Sequence, residues 1–177
     1  MAVRMAKGMA RVVGGLGLSV LSALGLSSCA KDDEMSVRGE LERVLYAGDT
    51  LWFESKLGCT AAVFETHIDE VKVAMPRVVD VSEALSYIER AKPFAFDNKM
   101  MSPNTFSEAL MSRQLHMGSG LLSASVGAID CMSEEVQHAF YEALMERSTL
   151  IVFDFAQNSV ALLDRKRKLI FFTRGDL

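Results

Sequence analysis

The sequence lacks the features that define several large classes of protein. Its 19 lysine and arginine residues are outnumbered by 23 aspartate and glutamate residues, so it has no basic excess with which to displace counterions from phosphates. It also has no Cys-x-x-Cys spacing, no internal repeat and no apolar run near the ~20 residues that span a bilayer. These absences argue against a general nucleic-acid-binding protein, a dithiol redox enzyme and a retained transmembrane segment.

Charge is distributed unevenly along the chain. The first 28 residues contain three basic side chains, Arg4, Lys7 and Arg11, and no acidic one. The other 149 of the 177 residues therefore carry 16 basic and 23 acidic side chains, a net charge of −7. This balance favours a soluble, self-repelling surface. The length is typical of one domain with a single core.

The amino-terminal segment has the three-part plan of a secretory signal. The basic residues come first, an apolar stretch follows at residues 12–26, and the small residues Ser27 and Ser28 precede Cys29. The apolar stretch has about 15 residues, four of them glycine, which is short for a membrane-spanning helix. We therefore predict that residues 1–28 are an export signal and that the mature chain faces an extracytoplasmic space.

The end of this segment, Leu26-Ser27-Ser28-Cys29, resembles the lipobox of bacterial lipoproteins. The resemblance covers only the amino-terminal segment. It implies that the Cys29 thiol receives a diacylglyceryl group, that the bond before Cys29 is cut, and that acyl chains such as palmitate hold the protein on the membrane. In lipoproteins of two-membrane bacteria an aspartate after the cysteine favours the inner membrane; Ala30 at that position implies the outer membrane, facing the periplasm. A plain cleavable signal and a retained anchor are the alternatives.

Two cysteines remain for the folded domain, Cys59 and Cys131. An exported protein enters a compartment that permits disulfides. A bridge between these two residues would close a loop of about 70 residues, worth on the order of 4 kcal/mol in the chain-entropy model. We predict this disulfide, with two buried free thiols as the alternative.

The apolar pattern predicts one α+β domain at residues 36–177, after a short lipidated tether at residues 29–35. We expect a mixed, mainly antiparallel sheet with about four helices packed on one side of it. Strands are predicted at residues 50–54, 59–66, 150–155, 160–163 and 169–173. Helices are predicted at residues 36–47 and after the capping residues Asp80, Ser102 and Ser133. Two segments stay open: residues 67–79 as an edge strand or extended connection, and residues 118–129 as a helix or a buried turn.

Serine, histidine and aspartate residues provide one weak catalytic candidate. Ser123-Ala124-Ser125-Val126-Gly127 lacks the first glycine of the Gly-x-Ser-x-Gly nucleophile elbow. Asp130 and His138 follow it too closely to lie on the separate later loops that a serine hydrolase uses. Small residues that pack a helix are the favoured alternative. For an enzyme assembled from distant residues, Ser125, His116 and His138 would be the first to test.

Metal-binding patterns are also sparse. Glu134, His138 and Glu142 follow one another at four-residue steps, hence on one face of a predicted helix, but one histidine with two flexible glutamates does not favour zinc. Methionines at helical spacing usually fill a core, although together with a histidine they could provide soft ligands to copper. We predict no metal and no cofactor. The residues of the copper alternative are Met100, Met101, Met111, His116 and Met117.

Four consecutive cations separate the last two predicted strands. Near an anionic membrane each charge contributes about 1 kcal/mol of attraction, so this cation run is a candidate contact for lipid headgroups or another acidic envelope polymer. The alternative is a solvated hairpin tip that also protects a sheet edge against aggregation. The cation run consists of Arg165, Lys166, Arg167 and Lys168.

Taken together, these patterns predict a lipid-anchored lipoprotein of the cell envelope whose domain binds or scaffolds without catalysis. The alternatives are a small envelope enzyme, such as a hydrolase, that has no local motif, and a subunit of a larger envelope assembly. The expected partners are the membrane, through lipid on Cys29, and a protein of the envelope. Nucleic acid is not an expected partner.

Overall fold

The computed structural model of the protein describes residues 31–175. The predicted export signal and Cys29 therefore lie outside the described residues. Within them, helices pack on a seven-stranded, mostly antiparallel sheet, which confirms the predicted α+β class. The strands are β1 Thr50–Lys56, β2 Cys59–Glu65, β3 Arg77–Val78, β4 Phe94–Phe96, β5 Leu150–Asp154, β6 Ser159–Asp164 and β7 Leu169–Gly175. The helices are α1 Glu34–Leu41, α2 Val81–Glu89, α3 Pro103–Arg113, α4 Leu115–Val126 and α5 Glu134–Met145, with a 3₁₀ helix at Ile129–Cys131.

The strand order in the sheet is β1-β2-β7-β6-β5-β4-β3. Neighbouring strands pair antiparallel, except that β3 and β4 are parallel. β3 forms one edge and has only two residues, directly after Pro76. Of the two alternatives for residues 67–79, an edge strand or an extended connection, the structure therefore shows a short edge strand at the end of the segment, as expected of a chain whose proline cannot donate to a central ladder. The longer strand β1 forms the other edge.

Both faces of the sheet carry an apolar cluster. Helices α2 to α5 cover one face, where Phe94, Phe106 and Phe153 are buried. Helix α1 covers part of the other face through Val37 and Leu41. The prediction that all helices lie on one side is therefore wrong for α1. β6 is buried at every position, and a strand buried on both faces needs cover on both.

The capping residues correctly predicted where three helices begin. Asp80 accepts hydrogen bonds from the backbone amides of Ser82 and Glu83, at 2.7 and 3.3 Å. Ser102 accepts from the amide of Thr105 at 3.2 Å, and Ser133 caps α5 in the same way. The capping predictions for α2, α3 and α5 are confirmed, because a cap is a contact within three residues of chain.

Helix α1 begins two residues earlier and ends six residues earlier than predicted. The side chain of Asp33 accepts a hydrogen bond from the amide of Ser36 at 3.0 Å and so starts the helix at Glu34. Part of the predicted tether at residues 29–35 is therefore folded.

The sequence pattern did not predict a definite structure for two further segments. Phe94–Phe96, which lies outside the predicted strands, forms β4 and pairs with β3 on one side and with β5 on the other. The segment at residues 118–129, for which a helix and a buried turn were the alternatives, is mostly helical, because Gly118 lies inside α4 and that helix continues to Val126. A Cβ at Gly118 would overlap Met111, so glycine permits α3 and α4 to pack closely.

Candidate functional site

A cavity lies between α1 and the sheet face that α1 only partly covers. Its volume is about 290 Å³, just below the 300–1,000 Å³ that is typical of small-molecule sites. Its apolar floor consists of Val152, Ala161 and Phe172. The walls and rim consist of Glu40, Leu41, Arg43, Val44, Met75, Pro93, Asp154 and Ser159.

The register of three strands produces the hollow. Ala161 of β6 lies directly opposite Val152 of β5 and opposite Phe172 of β7. Directly opposed residues share a face of the sheet, so a methyl group stands between two larger side chains. The hollow remains because Leu41 and Val44 wall it on one side without filling it.

Charged groups of both signs stand at the rim of the cavity. The Glu40 carboxylate accepts a hydrogen bond from the guanidinium of Arg174 at 2.7 Å. The Asp154 carboxylate accepts from the backbone amides of Ala156 and Gln157, at 3.0 and 3.2 Å. Arg43 is exposed and has no ion-pair partner among residues 31–175. The arrangement suits a ligand with an apolar body and a polar end.

The cation run forms the turn between β6 and β7, at the other end of the sheet. Each of its four residues has a carboxylate partner. The guanidinium of Arg165 donates to both carboxylate oxygens of Asp97, at 2.7 and 2.8 Å. Lys166 pairs with Glu146, Arg167 with Asp164 and Glu142, and Lys168 with Asp69. This pairing favours a solvated hairpin tip over a contact with an anionic surface.

The pair of Arg165 and Asp97 is the most enclosed of these contacts. Both side chains are only 16% exposed, and Arg165 also donates to the carbonyl oxygens of Asp69 and Ser148, at 2.9 and 3.3 Å. The hydrogen bond from the guanidinium lowers the pKa of Asp97, against the opposing effect of burial. The same hydrogen bond raises the pKa of Arg165. Arg165 thus ties three distant segments to the sheet.

The structure does not bring the catalytic candidates together. His116 and Ser125 both lie on α4, nine residues apart, which is about 13 Å along a helix axis. Ser125 is buried, and its hydroxyl donates to the carbonyl oxygen of Leu121 at 2.8 Å. His138 lies on α5 with its side chain 75% exposed. A nucleophile elbow needs a sharp strand-to-helix turn, whereas Ser125 is within a helix.

The predicted metal alternatives have other contacts. The Nδ1 atom of His138 is 3.9 Å from the carboxylate of Glu142, and Glu142 also accepts a hydrogen bond from Arg167. Met100 is exposed, and Met111 packs against Gly118. No group of three or more His, Cys, Asp or Glu side chains in the described part of the chain is placed to hold a metal ion.

Cys59 and Cys131 form a disulfide, as the cysteine count predicted, with their Cα atoms 6.0 Å apart. The bridge joins the start of β2 to the 3₁₀ helix. Two hydrogen bonds support it: the indole of Trp52 donates to the carbonyl oxygen of Cys131 at 3.2 Å, and Lys56 donates to that of Asp130 at 2.7 Å. The 3₁₀ helix is therefore held against β1 and β2.

Comparison of the chain with known protein families, with curated proteins and with solved structures finds no match. Among residues 31–175 there is no helix with both the length and the apolar character needed to cross a membrane. What supports a function is therefore the motif at Cys29 and the geometry of the described domain.

Proposed function

We propose that this protein is a lipoprotein held in the cell envelope by acyl chains on Cys29, and that its domain binds a small, mainly apolar ligand without catalysis. The lipobox-like motif ending at Cys29 supports the anchor, and Ala30 after it favours the outer membrane, facing the periplasm. The cavity floored by Val152, Ala161 and Phe172 is the observation that carries the binding activity.

The size and the rim of the cavity define the class of ligand. An apolar cavity of about 150 Å³ accepts benzene, so about 290 Å³ accommodates a bicyclic aromatic group or a short alkyl chain. Removal of apolar surface from water contributes about 25 cal/mol per Å². At the rim, Arg43 is the group that can meet an anionic or carbonyl end of the ligand, because its guanidinium is a donor with no ion-pair partner among residues 31–175. Glu40 and Asp154 are carboxylates that accept hydrogen bonds from this chain.

Filling the cavity should abolish most of the ligand binding. The substitution Ala161→Leu places a larger side chain between Val152 and Phe172, and we expect it to weaken the binding of the naphthalene-type dye ANS about tenfold, equivalent to about 1.4 kcal/mol. Fluorescence titration of the folded protein measures this.

The matched control adds the same side chain on the surface. Ala156 is exposed in the turn after β5, so Ala156→Leu should bind the dye as the unmodified protein does. Urea unfolding of both variants shows whether overpacking at residue 161 has cost stability, for which about 1–3 kcal/mol is typical. Equal affinity of the Ala161→Leu variant and the unmodified protein would contradict binding in this cavity.

Replacing Cys29 should abolish lipid attachment. A serine hydroxyl is a much poorer nucleophile than a thiolate, so Cys29→Ser should show no incorporation of labelled palmitate in the host and should retain residues 1–28. Ser28→Ala keeps a small residue before the cysteine and should be labelled normally. Intact-mass measurement checks both variants. An unmodified Cys29 in the natural protein, with residues 1–28 still attached, would contradict the proposed anchor.

A further inference from the structure

The chain is fixed to the sheet only three residues after Cys29. The Asp32 carboxylate accepts hydrogen bonds from the Thr60 hydroxyl at 2.8 Å and from the guanidinium of Arg174 at 2.7 Å. Thr60 lies opposite Ser55, one pair of residues before the turn that joins β1 to β2. Asp32 is therefore held beside that turn.

Three residues of chain limit how far the acyl chains on Cys29 can be from this point. Consecutive Cα atoms are 3.8 Å apart, so the Cα atoms of Cys29 and Asp32 are at most about 11 Å apart, whatever path the chain takes. A diacylglyceryl group places the sulfur of its cysteine at the level of the lipid headgroups. The end of the sheet next to Asp32 is therefore the end that lies near the bilayer.

Apolar side chains are exposed at this same end. Leu57, at the tip of the β1–β2 turn, is 68% exposed, and Ile129, at the start of the 3₁₀ helix, is 37% exposed. The turn and the 3₁₀ helix are adjacent, because Lys56 donates a hydrogen bond to the carbonyl oxygen of Asp130 and the disulfide joins the two segments. We call this surface, Leu57–Gly58 together with Ile129 and Asp130, the hairpin end.

The charges around the hairpin end have both signs. Lys31 and Lys56 are exposed, and so is Asp130. The ammonium group of Lys56 is 3.6 Å from the carboxylate of Glu54. A contact with a membrane here therefore depends on apolar side chains and not on a net positive charge.

We propose that the hairpin end is the membrane-docking surface of the lipidated protein and that Leu57 and Ile129 enter the headgroup region of a phospholipid bilayer. The inference rests on the proposed acylation of Cys29. Apolar side chains that enter the interface add to the binding by acyl chains, and a second point of contact fixes the orientation of the domain. The cavity then opens close to the membrane, because Asp154 and Ser159 of its rim lie at this end of the sheet.

Docking at the hairpin end places the cation run on the far side of the domain. β6 begins at Ser159, next to Arg174, and ends at Asp164, next to the cation run. Six residues of strand span about 20 Å. Lys166 at the tip of the far turn is 68% exposed, so it offers a reference position that the docked orientation keeps away from lipid.

Tryptophan quenching by lipid tests the docked orientation. The substitutions Leu57→Trp and Lys166→Trp are made separately in the full chain, and each lipidated protein is purified from its host and reconstituted into vesicles of phosphatidylethanolamine and phosphatidylglycerol. Part of the lipid carries brominated acyl chains, which quench indole fluorescence. Trp52 is present in both variants, and the unmodified protein gives its background. We expect roughly twofold more quenching for the indole at position 57, with emission at shorter wavelength.

The possible outcomes separate the two proposals. If the proteins float with the vesicles and the indole at position 57 is quenched no more than the one at position 166, docking by the hairpin end is overturned while the anchor stands. If the proteins carry no lipid and do not float, the anchor itself is overturned, and the docked orientation with it. Flotation with selective quenching at position 57 supports both.

Discussion

Replacing Arg165 with methionine should lower the free energy of unfolding by about 2–3 kcal/mol, because the Asp97 pair is only partly buried and a fully buried pair would lose about 3–5 kcal/mol. The change leaves the Asp97 carboxylate, 16% exposed, without its bidentate donor. It also removes the donor to the carbonyl oxygens of Asp69 and Ser148. Urea unfolding followed by circular dichroism measures the loss.

The next residue provides a matched control. Lys166→Met removes an ion pair in which the lysine side chain is 68% exposed and lies 3.5 Å from Glu146. We expect a change of at most about 0.5 kcal/mol there, because solvent screens exposed pairs. In the double variant with Asp97→Asn, part of the loss from Arg165→Met should be recovered, since no unpaired carboxylate remains. Equal unfolding midpoints for the two methionine variants would show that Arg165 does not tie the fold together.

The ion pair of Arg165 and Asp97 also makes the free energy of unfolding decrease as the pH falls into the acidic range. The hydrogen bond from Arg165 lowers the pKa of Asp97. The ionised Asp97 carboxylate therefore makes its full contribution to the free energy of unfolding above the pKa of an aspartate in the unfolded chain, near 3.9. That contribution is lost as the pH falls through the lower folded value. The raised pKa of Arg165 gives a contribution to stability that is complete at acidic and neutral pH and is lost only in strongly alkaline solution, above the usual range of a guanidinium. Acid should therefore destabilise the natural protein below about pH 4 more steeply than Asp97→Asn.

Local signals in the sequence located most of the elements. The N-caps of α2, α3 and α5 involve contacts within three residues, and the strands β1, β2, β5, β6 and β7 are runs of β-branched and aromatic residues long enough to be recognised. β4 has three residues, too few to show a periodicity. It is a strand because β5 pairs with it, and that pairing depends on residues more than fifty positions away.

The candidate site could not be predicted, because it depends on contacts between distant segments. The cavity exists because Ala161 lies between Val152 and Phe172 in the strand register. It also needs α1, which packs on the sheet face where no helix was predicted. In the cation run, Arg165 meets Asp97 across 68 residues of chain. The charge pattern alone left open a contact with an anionic surface or a solvated hairpin tip, whereas the fold supplies a carboxylate for each cation.

Removing the disulfide should have an effect of similar size to the loss of Arg165. The double substitution Cys59→Ala with Cys131→Ala frees two residues that are 72 apart in sequence, and loss of such a bridge costs about 2–5 kcal/mol. The expected result is a lower urea midpoint for the double variant than for the natural protein without reductant. With reductant present, the two proteins should unfold at nearly the same urea concentration.

The position of the bridge gives it a second measurable consequence. It holds the 3₁₀ helix against the β1–β2 turn, and the remaining side-chain hydrogen bonds described between these segments come from Trp52 and Lys56. Removing the bridge should accelerate amide exchange at residues 129–131 more than in β6 and β7, when the double variant is compared with the natural protein, because local opening costs less than global unfolding. Hydrogen exchange measured by mass spectrometry on the folded double variant checks this. Uniformly faster exchange throughout the domain would mean that the bridge stabilises the whole fold and has no local role at the hairpin end.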